Sequence, residues 1–491
     1  MRNVLELLER AAERMPEKRA VGDQDSSFRF LELQQAAKAL AGGIGNAGKN
    51  QPIGVLADRK IRTVARILGV LYSGNYYVPL DPDLPAEKLR AILEETDMQL
   101  LLGPAEAEQS ARAAGFQGVY ISTLPFGPSL RDLPDVGGDD PLCMVYTSGS
   151  TGKPKGIVKS HGAYLDWLEA YCETFHLTEN EIIGNQTPFF FDASSKDLYL
   201  MLYLGATLEI IPSKNFLFPM DLVDDLNRRQ ISYLCWVPSA LSIVAQLNPF
   251  SLVKPRFLRR VFFVGEVMPM KALNTWRRAL PELEYVNLYG QSELAGVCCY
   301  HVVRGEYEDT ACLPIGRPFS NTQVFLLDEQ ETLIREANRT GELWIASRAL
   351  ALGYFKEPER TARCFLQRDF GAGPVRCFRT GDLAHYNEHG ELVFSARADD
   401  QIKHMGHRIE PGEIETAANG LEGVVQSACL YDEKKQRIVL FAEAKRSGSE
   451  IRRALKEKLS DYMVPGKVIL LDKLPLSANG KLDRQSLRRR L

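Results

Sequence analysis

Residues 144–156 read MVYTSGSTGKPKG. Met144, Val145 and Tyr146 are apolar and suit the end of a strand, while Ile157 and Val158 suit the start of a second one. Between them, residues 147–154 are hydroxyl, glycine, lysine and proline only. Such a loop offers hydroxyl donors and exposed backbone N–H groups, and its glycines let the chain approach a ligand closely. Lys153 and Lys155 add positive charge. Pyrophosphate oxygens are the natural partner. The usual P-loop spacing, G-x-x-x-x-G-K-[ST] running into a helix, is absent. Gly149 and Gly152 stand too close, and Pro154 disfavours helical geometry at Lys153. The loop therefore joins two strands and can move. For this loop alone, a flexible surface turn is the competing reading.

The 491 residues allow two to four domains. A net charge of -3 argues against a broad nucleic-acid-binding field. No apolar run approaches the ~18 residues of a membrane span. The N-terminal MRNVLELLERAAERMPEK mixes acids among its apolar residues, as an amphipathic helix does and a signal peptide does not. The nine cysteines lack metal-ligand spacing and fit reduced thiols in a cytoplasmic protein.

Strand and helix signals alternate through the N-terminal part, which favours a largely parallel sheet covered by helices. After the glycine loop comes a helical stretch over residues 163–175, then PFFFDASSKD over residues 188–197. A carboxylate directly after three phenylalanines needs a partner if buried, and a ligand ammonium is one. Alternatively Asp192 caps a helix over residues 194–204. VFFVGE (261–266) and VNLYGQSE (286–293) are short apolar strands ending in glycine and an acid, where open α/β sheets hold ligands. Tyr289 could stack on a base and Glu293 could hold Mg²⁺ through oxygen; turn glycines and solvated acids are the alternative. Residues 314–394 break into short strands and turns, suggesting a small β-rich lobe. Residues 397–400 are charged and nearly core-free, a hinge. Residues 401–491 resemble a small α+β unit, with Ile414, Ala417 and Ala418 in a helix after Pro411, strands at 424–431 and 437–444, and Ile451, Leu455 and Leu459 at helical spacing.

Together these stretches resemble the adenylate-forming superfamily, and most closely the amino-acid-activating adenylation domains of nonribosomal peptide synthetases; D-alanyl carrier-protein ligases are a close variant. The matching segments run in the family's order: LGVLYSGNYYVPLDP (68–82), YTSGSTGKPKG (146–156), FFDAS (190–194), NLYGQSE (287–293), GELWIAS (341–347) with LGY (352–354), FRTGDLA (378–384), RADDQIKHMGHRIEPGEIE (397–415), DYMVP (461–465) and NGKLDR (479–484). The resemblance implies an α/β fold. A large N-terminal domain, 1–398, of layered α/β sheets carries a small β-barrel-like lobe, and a hinge leads to a mobile α+β lid, 399–491.

It also implies a two-step reaction. A carboxylate attacks the α-phosphorus of ATP, giving an acyl-AMP and pyrophosphate, and a phosphopantetheine thiol of a carrier protein then takes the acyl group. The demand is for positioning and charge stabilisation rather than covalent chemistry. By resemblance, Thr147, Ser148 and Thr151 hold the β- and γ-phosphates, with Gly149, Ser150, Gly152 and Lys155 completing the loop. Gly265, Glu266, Asn287, Leu288, Gly290, Gln291 and Ser292 belong to the nucleotide site, Tyr289 faces the adenine, and Glu293 holds Mg²⁺. Asp382 accepts from the ribose hydroxyls with Arg397 assisting. Lys481 bridges the substrate carboxylate and the ATP oxygens, Asp399 is the pivot, and Lys403 serves thioester formation.

Asp192 stands where amino-acid activators place the carboxylate for the α-ammonium; Ala193, Lys196, Cys235, Phe262, Val264, Leu288, Gly296 and Val297 are the matching pocket positions. Lys196 replaces a frequent tryptophan floor. A buried lysine wants an anion, so an acidic amino acid is one expectation. A small substrate, with Lys196 paired to Asp197 or turned to solvent, is the other. Gln291-Ser292 departs from the usual proline-threonine, which keeps an acyl-CoA ligase using free CoA open; a non-catalytic ATP-binding relative is the third reading. With no carrier segment after NGKLDR, the expectation is a free-standing enzyme loading a carrier in trans, or an excised unit. No nucleic-acid or membrane partner is expected.

Overall fold

The glycine loop is the tip of an antiparallel pair: Pro141–Thr147 lies against Lys155–Ser160, with Thr147 opposite Lys155. In the computed structural model, which describes residues 1–45, 48–123, 132–147, 154–398, 401–475 and 482–491, that pair belongs to a larger sheet. Its order among the described residues is Gly353–Tyr354, Lys155–Ser160, Pro141–Thr147, Tyr76–Leu80, Pro52–Leu56, Leu100–Leu102, Val119–Ile121. The strands from Pro141–Thr147 to Val119–Ile121 run parallel. Tyr76–Leu80 is buried at every position, as a strand covered on both faces must be.

A second sheet runs Arg317–Pro318, Cys299–Val302, Glu284–Tyr289, Arg260–Val264, Tyr233–Trp236, Ile182–Asn185, Thr207–Ile210, Arg19–Gly22, Ser27–Arg29. Its centre, from Glu284–Tyr289 to Arg19–Gly22, is parallel. The helices His161–Phe175 and Asp192–Leu204 feed one core with residues from both sheets, including Trp167, Tyr171, Tyr199, Val55, Leu142 and Leu208.

The β-rich lobe is antiparallel and centres on the long strand Pro374–Tyr386, which pairs with Gly341–Ser347, Phe365–Asp369 and Leu392–Arg397. The C-terminal part begins with the hairpin Ile402–His404/His407–Ile409. Beyond it, Val424–Asp432, Arg437–Ala444 and Lys467–Leu470 form a small sheet, flanked by the helices Pro411–Asn419 and Gly448–Lys456. This part has apolar clusters of its own, built from Ile409, Ile414, Leu440, Ile451 and Leu455 on one side and Val439, Phe441 and Leu487 on the other. All nine cysteines are free thiols. Among the described residues no helix is long and apolar enough to cross a membrane.

Candidate functional site

Parallel strands of both sheets end at one cavity of about 390 Å³. Pro79 and Leu80 close one strand there, Gln186 to Pro188 follow another, and Val237, Val264, Gly265 and Gly290 lie at or just past the ends of three more. Carboxyl ends of strands are where open α/β sheets leave a crevice. The C-terminal part supplies the opposite wall, through Gln401, Lys403, Met405 to Arg408, Tyr462 and Met463.

Asp192 is the first residue of its helix, and Phe191, not Asp192, is the cap. Its carboxylate turns to the cavity and takes the ammonium of Lys159. Burial raises the Asp192 carboxyl, and Lys159 and the Ser292 hydroxyl pull it back. Lys159 itself is fully buried, with its ammonium 5.8 Å from the centre of the Tyr164 ring.

Lys196 is also buried, and its ammonium donates to the Ala193 carbonyl (3.1 Å), the Asp197 carboxylate (3.2 Å) and the Cys235 carbonyl (3.1 Å). Burial lowers the lysine's pKa, but Asp197 and Cys235 together outweigh it and the net shift is upward. An ammonium has three protons, and all three are placed within the protein. Of the two expectations for Lys196, the pairing with Asp197 is the arrangement adopted. Ala193, Val264, Gly296 and Val297 line the cavity, whereas Cys235, Phe262 and Leu288 stand behind its wall. Phe262 packs into an aromatic cluster, 4.6 Å from Phe175 and 5.2 Å from Tyr233 by ring centres. Gly296 has φ +76°, and a Cβ there would collide with the Trp167 ring.

At the other end, Asp382 is fully buried and collects three donors: the Tyr289 hydroxyl, the Gln291 amide at 2.5 Å and the Arg397 guanidinium at 2.7 Å. Gly381 carries φ +71°, and a Cβ would come within 2.9 Å of that guanidinium. Lys403 stands 5.7 Å from the centre of the Tyr289 ring. Burial depresses its pKa, Arg397 and Arg408 add to the effect, and Asp382 opposes it. Glu266 accepts the Ser239 and Gly406 N–H groups at 3.0 and 2.8 Å, so it binds the hairpin tip. Asn287 donates to the Pro314 carbonyl at 2.7 Å and acts as a brace. Gly265, Gly290, Gln291 and Ser292 face the cavity, as does Thr147, whose hydroxyl is buried with no hydrogen-bond partner among the described residues. Ser148, Gly149, Ser150, Thr151, Gly152, Asp399 and Lys481 lie outside the described residues.

Glu293 does not present a ready metal site in this arrangement. Both its oxygens meet Arg408, at 2.8 and 2.7 Å; the Tyr354 hydroxyl donates at 2.8 Å, and Lys155 stands at 3.6 Å. Burial alone would raise this carboxyl, but Arg408 and Lys155 hold it well below the ordinary range. Lys155 in turn is lowered to about 8, by burial and then by Arg408. A Mg²⁺ at Glu293 requires the hairpin arginine to withdraw. Among the described residues no cluster of three metal-binding side chains occurs.

Sequence reasoning missed Lys159 and Arg408. It also missed the contacts that seat the C-terminal part: Lys88 with Glu413 at 2.6 Å, and the His407 ring stacked on Tyr462 at 3.6 Å and edge-on to Phe191 at 4.2 Å. One signal existed for Lys159. It lies two residues after Ile157 on a strand, and so shares the buried face.

The chain belongs to the family of AMP-binding enzymes, the adenylate-forming ligases. The AMP-binding enzyme model matches residues 8–355, and the AMP-binding enzyme C-terminal domain model matches residues 413–481. Among individual relatives, it is 31% identical to a mycosubtilin synthase of Bacillus subtilis over 99% of this chain, and 32% identical to surfactin synthase subunit 1 of the same species, also over 99%. It spans only 19% and 14% of those two proteins. It is 29% identical to zwittermicin A synthase ZmaJ of Bacillus cereus, across 99% of this chain and 94% of that one. The fold matches holo-PA1221, an NRPS protein containing adenylation and PCP domains bound to a vinylsulfonamide inhibitor, with a TM-score of 0.87 and 25% identity over 100% of this chain and 84% of that one. It also matches the Vibrio cholerae adenylation domain AlmE in complex with glycyl-adenosine-5'-phosphate, with a TM-score of 0.85 and 21% identity over 99% and 97% of the two chains.

Proposed function

We propose that this protein activates an amino acid with ATP, as an acyl-adenylate with loss of pyrophosphate, and then passes the acyl group to the phosphopantetheine thiol of a carrier protein supplied in trans. One observation carries the reading: Asp192 at the acyl end, Gln291 and Arg397 at the other and the hairpin lysine Lys403 line one cleft, and Gln291 and Arg397 both donate to the buried Asp382 behind its wall, which also takes the Tyr289 hydroxyl. Thr147 offers a hydroxyl to phosphate, and Lys155 brings charge to the start of the following strand.

In the first step the substrate carboxylate attacks the α-phosphorus and the α–β phosphoanhydride breaks. Lys481 carries the transition-state charge, and the residues of the glycine loop orient the leaving pyrophosphate. In the second step the thiol attacks the acyl carbon and AMP leaves. Lys403, held by the hairpin over Tyr289, belongs to this step. On this reading Asp399 is the pivot between residues 1–398 and 399–491, and the arrangement described is the one that serves thioester formation. The closed cleft keeps water from the anhydride.

The test is exchange of labelled pyrophosphate into ATP across a panel of amino and simple carboxylic acids. Transfer to a phosphopantetheinylated carrier and to free CoA is then measured side by side. Acid-dependent exchange with transfer to the carrier supports the reading; transfer to CoA alone replaces it with an acyl-CoA ligase. ATP binding without exchange for any acid removes it.

A further inference from the structure

The acyl end of the cleft is electrically closed before any substrate enters. Asp192 is paired with Lys159 and Asp197 with Lys196, and all but Asp192 among these side chains are almost wholly buried. Asp192 keeps 20% of its side-chain surface exposed, toward the cavity. Lys159 approaches it from behind, from the strand Lys155–Ser160, boxed in by the ring of Tyr164. Tyr164 is itself fixed by Ser195 at 2.7 Å, so the lysine has little room to turn away.

We propose that Lys159 is a specificity-determining residue that relaxes the demand for an α-ammonium, so that this protein activates small α-hydroxy acids comparably with the matching α-amino acids. The inference rests on the adenylation reading above. A buried carboxylate with no protein cation demands a cationic ligand, because a neutral one leaves it uncompensated. Sites of that kind reject analogues lacking the expected polar group by about 10⁴–10⁵. Here the protein fills the demand itself. An incoming ammonium must share one carboxylate with a second ammonium in a poorly solvated place, where like charges repel strongly. A hydroxyl donates to the same carboxylate without that repulsion. The gap between the two substrate classes therefore closes from both sides.

The experiment measures pyrophosphate exchange on the full chain with matched acid pairs: glycine and glycolate, alanine and lactate, valine and 2-hydroxyisovalerate, glutamate and 2-hydroxyglutarate. Wild type is run beside Lys159→Met and Lys159→Arg, with ATP binding followed separately. For the best pair, wild-type kcat/KM values should lie within about tenfold of each other; Lys159→Met should move the ratio toward the amino acid by about 10²-fold, and Lys159→Arg should leave it in place. An amino-acid preference above about 10³ in the wild type overturns the proposal, as does a ratio unmoved in Lys159→Met. If Lys159→Met does not fold, the wild-type and Lys159→Arg ratios decide the matter on the same thresholds. Exchange with no acid at all, by protein that binds ATP, defeats the adenylation reading itself and not the role of Lys159 alone.

Discussion

At Asp382 a buried carboxylate receives a phenol, an amide and a guanidinium at once. Removing its charge takes an ion-pair partner from Arg397 and an acceptor from Tyr289. Asp382→Asn should therefore lower exchange activity by about 10²–10³-fold. It should also lower the thermal midpoint, since breaking a buried pair costs about 3–5 kcal/mol. Both are read on one purified variant, by exchange and by calorimetry. Lys403 and Lys481 separate the two half-reactions. Lys481→Ala should abolish exchange, and Lys403→Ala should mainly slow thioester transfer while leaving exchange; equal loss of exchange in both would remove the division of labour. Asp382, Lys403 and Lys481 were legible only through the resemblance of the segments that carry them, FRTGDLA, RADDQIKHMGHRIEPGEIE and NGKLDR. Lys159 was overlooked because a lysine beside Ser160 suggests a solvent-facing strand position, and only its two-residue spacing from Ile157 pointed the other way. Lys196 was visible as an anomaly, but its three acceptors come from its own helix and a neighbouring strand, and only the folded chain brings them together.

Among the elements, the first helix, Leu5–Arg14, shows how local signals and distant anchors combine. Its apolar spacing announced the helix, and Leu5, Leu7, Leu8, Ala11 and Ala12 are the buried face. Its attachment was not announced: the N–H of Val4 donates to Nδ1 of His161 at 3.3 Å, and burial lowers that histidine to about 4 from an ordinary 6.5. The unfolded chain binds the proton more readily, so this contribution is whole above pH 6.5 and is lost as pH falls toward 4. Its size is on the order of 3 kcal/mol. Urea unfolding at pH 7 and pH 4.5 should show the loss, and His161→Gln should show less of it. Strand positions around the glycine loop were legible to within a few residues, because apolar runs stop where turn chemistry starts. The order of strands was not. Nothing local tells Ile182–Asn185 to lie between Thr207–Ile210 and Tyr233–Trp236.

Across the whole molecule, a C-terminal part with apolar clusters of its own could be read from the sequence pattern, but its seating could not. The seat depends on Arg408 with Glu293, Lys88 with Glu413 and the Gly406 N–H on Glu266, each linking residues far apart in the chain. Arg408→Met should weaken the seat and slow thioester transfer by about tenfold, while exchange is kept or improved. Stopped-flow transfer and steady-state exchange on the same preparation check it. The seat also carries a titrating group. His407 lies between Phe191 and Tyr462, and burial, followed by the proximity of His404, lowers it to about 3. An imidazole in water takes its proton near pH 6.5. Taking up this seat therefore means giving up a proton wherever the solution is acid enough to have supplied one, so mild acidity weighs against the ring's place between Phe191 and Tyr462.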